Sequence, residues 1–171
     1  MVVVMNYHTK LKEIVVKAST KIALIDEVVM SQKPAPNKWS KKEILGHLID
    51  SAYNNHARFL KAGFQNNLFF EGYDQDEWVK QNNYQSRSAA SILSLWQQSN
   101  EHISILIEGL PEDLLLRKTK EHYFDKMCMQ LLSKSVEANL AYLIWDYIYH
   151  IEYHLNQIIE DYEMVNEPFL H

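Results

Sequence analysis

The chain of 171 residues is poor in several residue types, and each scarcity excludes something. It has one cysteine, Cys128, so no intrachain disulfide can form. A lone thiol fits a reducing compartment. Four glycines and four prolines are few for the turns of an all-β domain of this length. Cations are outnumbered, 17 Lys and Arg against 22 Asp and Glu, which leaves a net charge of −5. Nucleic acid is therefore not expected as a partner, because phosphate binding calls for a basic face. No apolar run approaches the roughly 18 residues of a membrane helix, so no membrane partner is expected. The opening residues 1–6 lack the basic start and the apolar length of a signal peptide. G-x-S-x-G, Walker A and G-x-G-x-x-G patterns are missing too, which sets aside nucleophile-elbow hydrolases, P-loop NTPases and Rossmann enzymes.

What is present is a globular composition, 47% hydrophobic and 23% charged. The length fits one domain over 1–171 with a core that needs no disulfide or structural metal. A cytoplasmic location follows as an expectation. Apolar residues recur at three and four, the signature of amphipathic helices. The spacing predicts a first helix over about 7–31, with Leu11, Ile14, Val15, Ala18, Ile22, Ile25 and Val29 inward, stopped by Pro34 and Pro36. A second helix is predicted over 40–63. Ser40-Lys41-Lys42-Glu43 reads as its capping box, Trp39 and Ile44 as a hydrophobic staple, and Gly63 as its C-cap.

Helical periodicity fails over residues 64–87, which carry Phe69, Phe70, Tyr73 and Trp78. A third helix is predicted over 88–109, stopped by Gly109 and Pro111. Residues 112–134 read as irregular with a short helix at 114–116, and a fourth helix runs over 135–164. The expected architecture is all-α, a four-helix bundle with a long crossover between the second and third helices. The fourth helix holds Tyr142, Tyr147, Tyr149, Tyr153 and Tyr162, more rings than one inward stripe buries, so a homodimer is expected.

Of the eight histidines, His8 and His171 lie at the termini, His122 in irregular sequence, and His56 half a turn around the helix from His47. His102 sits at the edge of the third stripe. His150 and His154 differ. Four apart on one helix, they project from one face, and that face is the apolar one. Two readings stand for them: boundary histidines with separate hydrogen-bond partners, or ligands of a shared cation, since neutral imidazole is a good ligand for zinc, nickel or iron. Glu152 lies two after His150, so the pair is not H-E-x-x-H. Glu43 and Glu152 lack a histidine three residues on, so a ferritin-like di-iron site is excluded. If the second and fourth helices are antiparallel neighbours, His47 reaches the same depth as the pair. Three histidines with an open position make a catalytic rather than a structural metal site.

The segment Lys38-Trp39-Ser40-Lys41-Lys42-Glu43-Ile44-Leu45-Gly46-His47-Leu48-Ile49-Asp50-Ser51, followed by Asn54, Asn55, Arg58 and Phe59, resembles the DinB/YfiT-like superfamily. So does His150-Ile151-Glu152-Tyr153-His154-Leu155-Asn156-Gln157-Ile158. Tyr73-Asp74-Gln75-Asp76-Glu77-Trp78 is similar to the branch of metal-dependent hydrolases named after YfiT. That branch often carries adjacent histidines before the last one, where this chain has Glu152 and Tyr153. The resemblance implies a four-helix bundle with a long crossover. It implies one divalent metal at His47, His150 and His154, with zinc or nickel foremost and iron or manganese also suited. It further implies enzymes such as hydrolases and thiol S-transferases that use mycothiol or bacillithiol.

Such a metal lowers the pKa of bound water toward ~7 or holds a thiol as thiolate, for attack on a small electrophilic substrate. Asp50 and Asp146 each have two readings: a partner or base beside the metal, or an ordinary helix acid. Arg58 reads as a surface salt bridge or as an anchor for an anionic group. Tyr73, Trp78 and Tyr147 are candidate walls of a substrate cleft. A non-catalytic, stress-associated metal-binding or structural protein is the alternative.

Overall fold

A computed structural model describes residues 6–165; the opening apolar run and His171 lie outside them. Eight α-helices are present among the described residues: α1 (Tyr7–Ile22), α2 (Glu27–Ser31), α3 (Lys41–Ala62), α4 (Gln75–Asn82), α5 (Ala89–Glu108), α6 (Glu112–Leu116), α7 (Phe124–Met127) and α8 (Leu140–Ile158). A 3₁₀ turn, Tyr84–Ser86, leads into α5. No strand occurs among them, only isolated bridges pairing Leu68 with His122 and Thr119 with Ala138. The long helices α1, α3, α5 and α8 form the bundle, with α1 and α3 each packed on α5 and α8. No described helix is long and apolar enough to cross a membrane.

The second helix stands as read. The Ser40 hydroxyl accepts from the Glu43 amide and the Glu43 carboxylate accepts from the Ser40 amide, so both arms of the capping box are made. The first helix does not run to 31. It ends at Ile22, and α2 restarts on Asp26, whose carboxylate caps the Val28 amide at 2.8 Å. Leu24 in the break is 85% exposed, so continuing the helix would have buried nothing there. The 64–87 crossover is not irregular throughout, because Asp74 caps the Glu77 amide at 3.0 Å and starts α4. The 112–134 stretch holds two short helices, α6 and α7. The fourth helix is shorter than read: Asn139 caps it, and beyond Ile158 the left-handed Asp161 (φ 52°) turns the chain back. That return brings Tyr162 and the Val165 amide onto Glu152.

Direction follows from side-chain contacts. Lys42 reaches the Arg87 carbonyl at one end of α3, and His56 stacks on His102 further along, so α3 and α5 run parallel. The crossover returns the chain along the bundle to make this possible. Lys41 bonds to the Ile158 carbonyl while Phe59 meets Tyr147 edge-on, so α3 and α8 are antiparallel. Of the five tyrosines read into the fourth helix, Tyr142 and Tyr147 are buried, Tyr149 and Tyr162 are half-buried, and only Tyr153 is exposed.

Candidate metal centre

The antiparallel contact of α3 and α8 sets three imidazoles together. His47 leaves α3 one and a half turns past its start and is fully buried; His150 and His154, one turn apart on α8, are half-buried. Ring centroids are 5.0 Å apart for His47 and His150, 4.8 Å for His47 and His154, and 4.6 Å for His150 and His154. One ring nitrogen from each lies within 4.8 Å of the others. The Nε2 atoms of His47 and His150 approach to 3.0 Å.

Burial away from water disfavours the imidazolium form at all three positions, and at His47 and His150 neighbouring histidine charge adds to it. The His47 pKa falls to about 3. All three are therefore neutral at pH 7, the form that donates a lone pair. The surroundings orient them. His154 Nδ1 lies 3.0 Å from the Gln157 amide oxygen, so its Nδ1–H donates there and Nε2 is free. Ser51 Oγ stands 3.4 Å from His150 Nδ1 and is itself held by Asn55. Trp39 lies against the His47 ring at 5.0 Å. His47 Nδ1 is buried without a protein partner.

These residues fit a divalent ion. Two nitrogens on one tetrahedral zinc stand about 3.3 Å apart, from metal–nitrogen bonds of about 2.0–2.1 Å. The His47–His150 spacing of 3.0 Å is close to that value. If each imidazole keeps its hydrogen on Nδ1, the two facing Nε2 atoms have no proton between them, and a cation would fit the gap.

Two cavities meet at the cluster. The inner one, about 390 Å³, is bordered by Ser51, Arg58, Tyr73, Cys128, Asp146 and Tyr147, along with His150 and His154. The outer one, about 980 Å³, is bordered by Trp39, Ile44, Tyr73, Tyr153 and His154. A further cavity of about 720 Å³, between α1 and residues 161–165, holds no histidine. Tyr73 stacks 6.4 Å from His47, and Trp78 stands behind it at 4.9 Å, backing the wall instead of lining it. Tyr147 is buried with its hydroxyl donating to Asn100 at 2.6 Å, so its ring, not its hydroxyl, faces the inner cavity.

The two acids differ from ordinary helix acids, for both are buried. Asp50 Oδ1 accepts from the Tyr84 hydroxyl at 2.7 Å and Asn82 at 2.9 Å, while Oδ2 is buried unpartnered. Burial pushes its pKa to about 6 despite the Tyr84 hydrogen bond. Asp146 accepts from the Met129 and Gln130 amides at 3.0 and 2.7 Å, and burial lifts it to about 6 as well. Arg58 is not a surface salt bridge. It is 8% exposed and bonds to the Glu71 carbonyl at 2.6 Å and to Asn55 Oδ1 at 3.3 Å.

The sequence model of the DinB superfamily matches residues 22–158, a span that carries all three histidines. The chain belongs to the DinB superfamily. Two curated relatives are provisionally named metal-dependent hydrolases. One, from Halalkalibacterium halodurans, is 26% identical over 135 residues, 79% of this chain and 74% of its own length. The other, from Bacillus mycoides, is 24% identical over 128 residues, 75% of this chain and 67% of its own. Among solved structures, YfiT from Bacillus subtilis, provisionally described as a metal-dependent hydrolase with an unusual four-helix bundle topology, matches with a TM-score of 0.72. At 18% identity, over 89% of this chain and 81% of that one, it shows the fold. Periodicity gave no route in this DinB chain to Cys128 or His122, which lie in irregular segments. His122 is buried and ties the Val136 carbonyl to the Phe124 amide. Gln157 was findable from spacing, three residues past His154 on the same helix face.

Proposed function

We propose that this chain binds one divalent metal ion through His47, His150 and His154 and is a metal-dependent hydrolase of a small electrophilic substrate. The observation that carries it is the 3.0 Å approach of two neutral imidazole nitrogens, one of them on a ring that borders the inner cavity, with a third imidazole beside them. A metal held by three imidazoles keeps an open position and supplies a nucleophile at neutral pH by lowering the pKa of what binds there. The residues of the chain do the rest. Ser51 and Gln157 fix two ring orientations, and Trp39 with Tyr73 shields the His47 side from solvent. The family names of the relatives support hydrolysis, and the chemistry of the cluster agrees with them.

A second reading, transfer of a low-molecular-weight thiol, is favoured by one feature. The outer cavity of about 980 Å³ meets the inner one at Tyr73 and His154, leaving room for a second molecule beside the first. The test is elemental analysis of native protein, followed by turnover of ester, amide and thiol-conjugation panels by the metal-loaded chain. About one metal per chain with turnover supports the enzyme. One metal with no turnover across the panels, and a large loss of melting temperature on metal removal, supports the non-catalytic alternative.

A further inference from the structure

We infer that the inner cavity seats a small substrate by a carboxylate group, held by Arg58. The inference rests on the proposed function for where the substrate's reacting end lies; the anion seat is built from the chain alone.

His47, Ser51, Asn55 and Arg58 are spaced at four, four and three, so they share one face of α3. Ser51, Asn55 and Arg58 all border the inner cavity. A guanidinium that is 8% exposed is costly unless its charge is matched. Among the described residues no carboxylate lies within ion-pair distance of it. Its two hydrogen bonds go to uncharged oxygens, the Glu71 carbonyl and Asn55 Oδ1. A guanidinium has five N–H donors, so three are left without a protein acceptor. The one acid bordering the cavity, Asp146, offsets part of that charge from a distance but takes none of its N–H groups, both oxygens accepting from the backbone amides of Met129 and Gln130.

A buried cation with spare donors on a cavity of about 390 Å³ is therefore completed by an anion from outside the chain. A carboxylate matches the fork of a guanidinium with two oxygens in one plane. The other cation on this cavity, Lys126, holds its ammonium 5.3 Å over the Tyr123 ring. Lys126 is exposed, so among the described residues Arg58 is the one buried cation on this cavity, which suits a monoanion better than a phosphate dianion.

The experiment titrates the full chain, once stripped with EDTA and once loaded with zinc, with butanoate and with butanamide, its neutral isostere. Butanoate is expected to bind at least ~10-fold more tightly than butanamide in both states, the scale of a charged hydrogen-bonded pair. Arg58→Met removes the preference, and Arg58→Lys, which keeps the charge and loses the fork, reduces it; circular dichroism checks that both fold. The comparison of the two ligands on wild type needs no variant. Equal binding of butanoate and butanamide overturns the proposal. So does a preference seen only with zinc and unchanged in Arg58→Lys, since the anion then sits on the metal. Inorganic phosphate outcompeting butanoate also overturns it. A chain that takes up no zinc yet keeps an Arg58-dependent preference retains this inference and loses the metal-dependent one.

Discussion

His47 and His150 are 103 residues apart in the chain, yet their Nε2 atoms face each other at 3.0 Å across the α3–α8 seam. Neither ring can be protonated there without placing charge against its neighbour, and burial already opposes it. The fold thus holds a ligand set in its deprotonated form before any metal arrives.

Proton release is the first measurable consequence. At pH 6, three ordinary imidazoles with pKa near 6.5 would give up about two protons to a binding metal. Here the lowered values leave little to release, so zinc titration at pH 6 is expected to release well under one proton per chain. Calorimetry in buffers of different ionisation enthalpy reads this number. The same shift makes metal-free stability depend on pH. The unfolded chain takes up protons near 6.5 that folded His47 refuses until about 3. Its contribution is therefore full above about 6.5 and is lost as pH falls toward about 3.

Removing ligands separates binding from folding. The double variant His150→Ala/His154→Ala is expected to hold no metal, because one imidazole makes no chelate. His47→Ala alone should lose turnover while the metal-free melting temperature moves by no more than roughly 5 °C, since the cavity left by the ring is offset by removing a buried, unpartnered ring nitrogen. Full metal occupancy of the double variant would refute the ligand assignment.

Of the four glycines, Gly46, next to His47, is the most closely packed. A Cβ there would stand 2.2 Å from the Cδ2 and Cγ atoms of Tyr84, whose hydroxyl is tied to Asp50. Alanine normally gains about 1 kcal/mol over glycine inside a helix. Overpacking costs about 1–3 kcal/mol, and the tied ring cannot simply swing away. Gly46→Ala is expected to be destabilising by up to about 2 kcal/mol net in urea unfolding, after the helix gain is subtracted.

Tyr84→Phe takes a donor from a buried carboxylate. Asp50 has its folded pKa raised to about 6, so its ionisation costs stability as pH rises from about 4 through 6. Losing the Tyr84 hydrogen bond raises that pKa further, so the variant's deficit should grow with pH. We expect a loss of about 1–3 kcal/mol at pH 8 and a smaller one at pH 4.5. An equal deficit at both pH values would mean Asp50 does not ionise in the fold.

Much of this could be read from residue order, and the misses have physical causes. Ser40 and Glu43 announced α3 because a capping box is a local interaction, and local interactions are visible in spacing. Asp26 and Asp74 carried the same kind of signal for α2 and α4 but fell inside a stripe and a loop. At the first, Ile25 and Val29 kept the helical period across a break. At the second, too few apolar residues flanked the cap. The ligand histidines were legible because helices convert spacing into direction. Spacing alone leaves Arg58 between a surface salt bridge and an anion anchor, because its burial comes from the Glu71 carbonyl and the cavity wall, which are brought to it by the crossover and by α8, not by its own helix.

All three histidines of the proposed centre ride on two helices, and this turns the α3–α8 seam into a ruler. Each residue added to a helix advances it by about 1.5 Å and rotates it by about 100°. One residue inserted between Asn139 and His150 would swing His150 and His154 off the seam while leaving His47 in place. The crossover between α3 and α5 carries none of the three histidines and reaches the centre only through Tyr73, so its length bears on the cavity walls more than on the register of the rings. The register of the proposed metal centre is therefore kept by helix length, whereas the cavity walls draw on both the helices and the crossover.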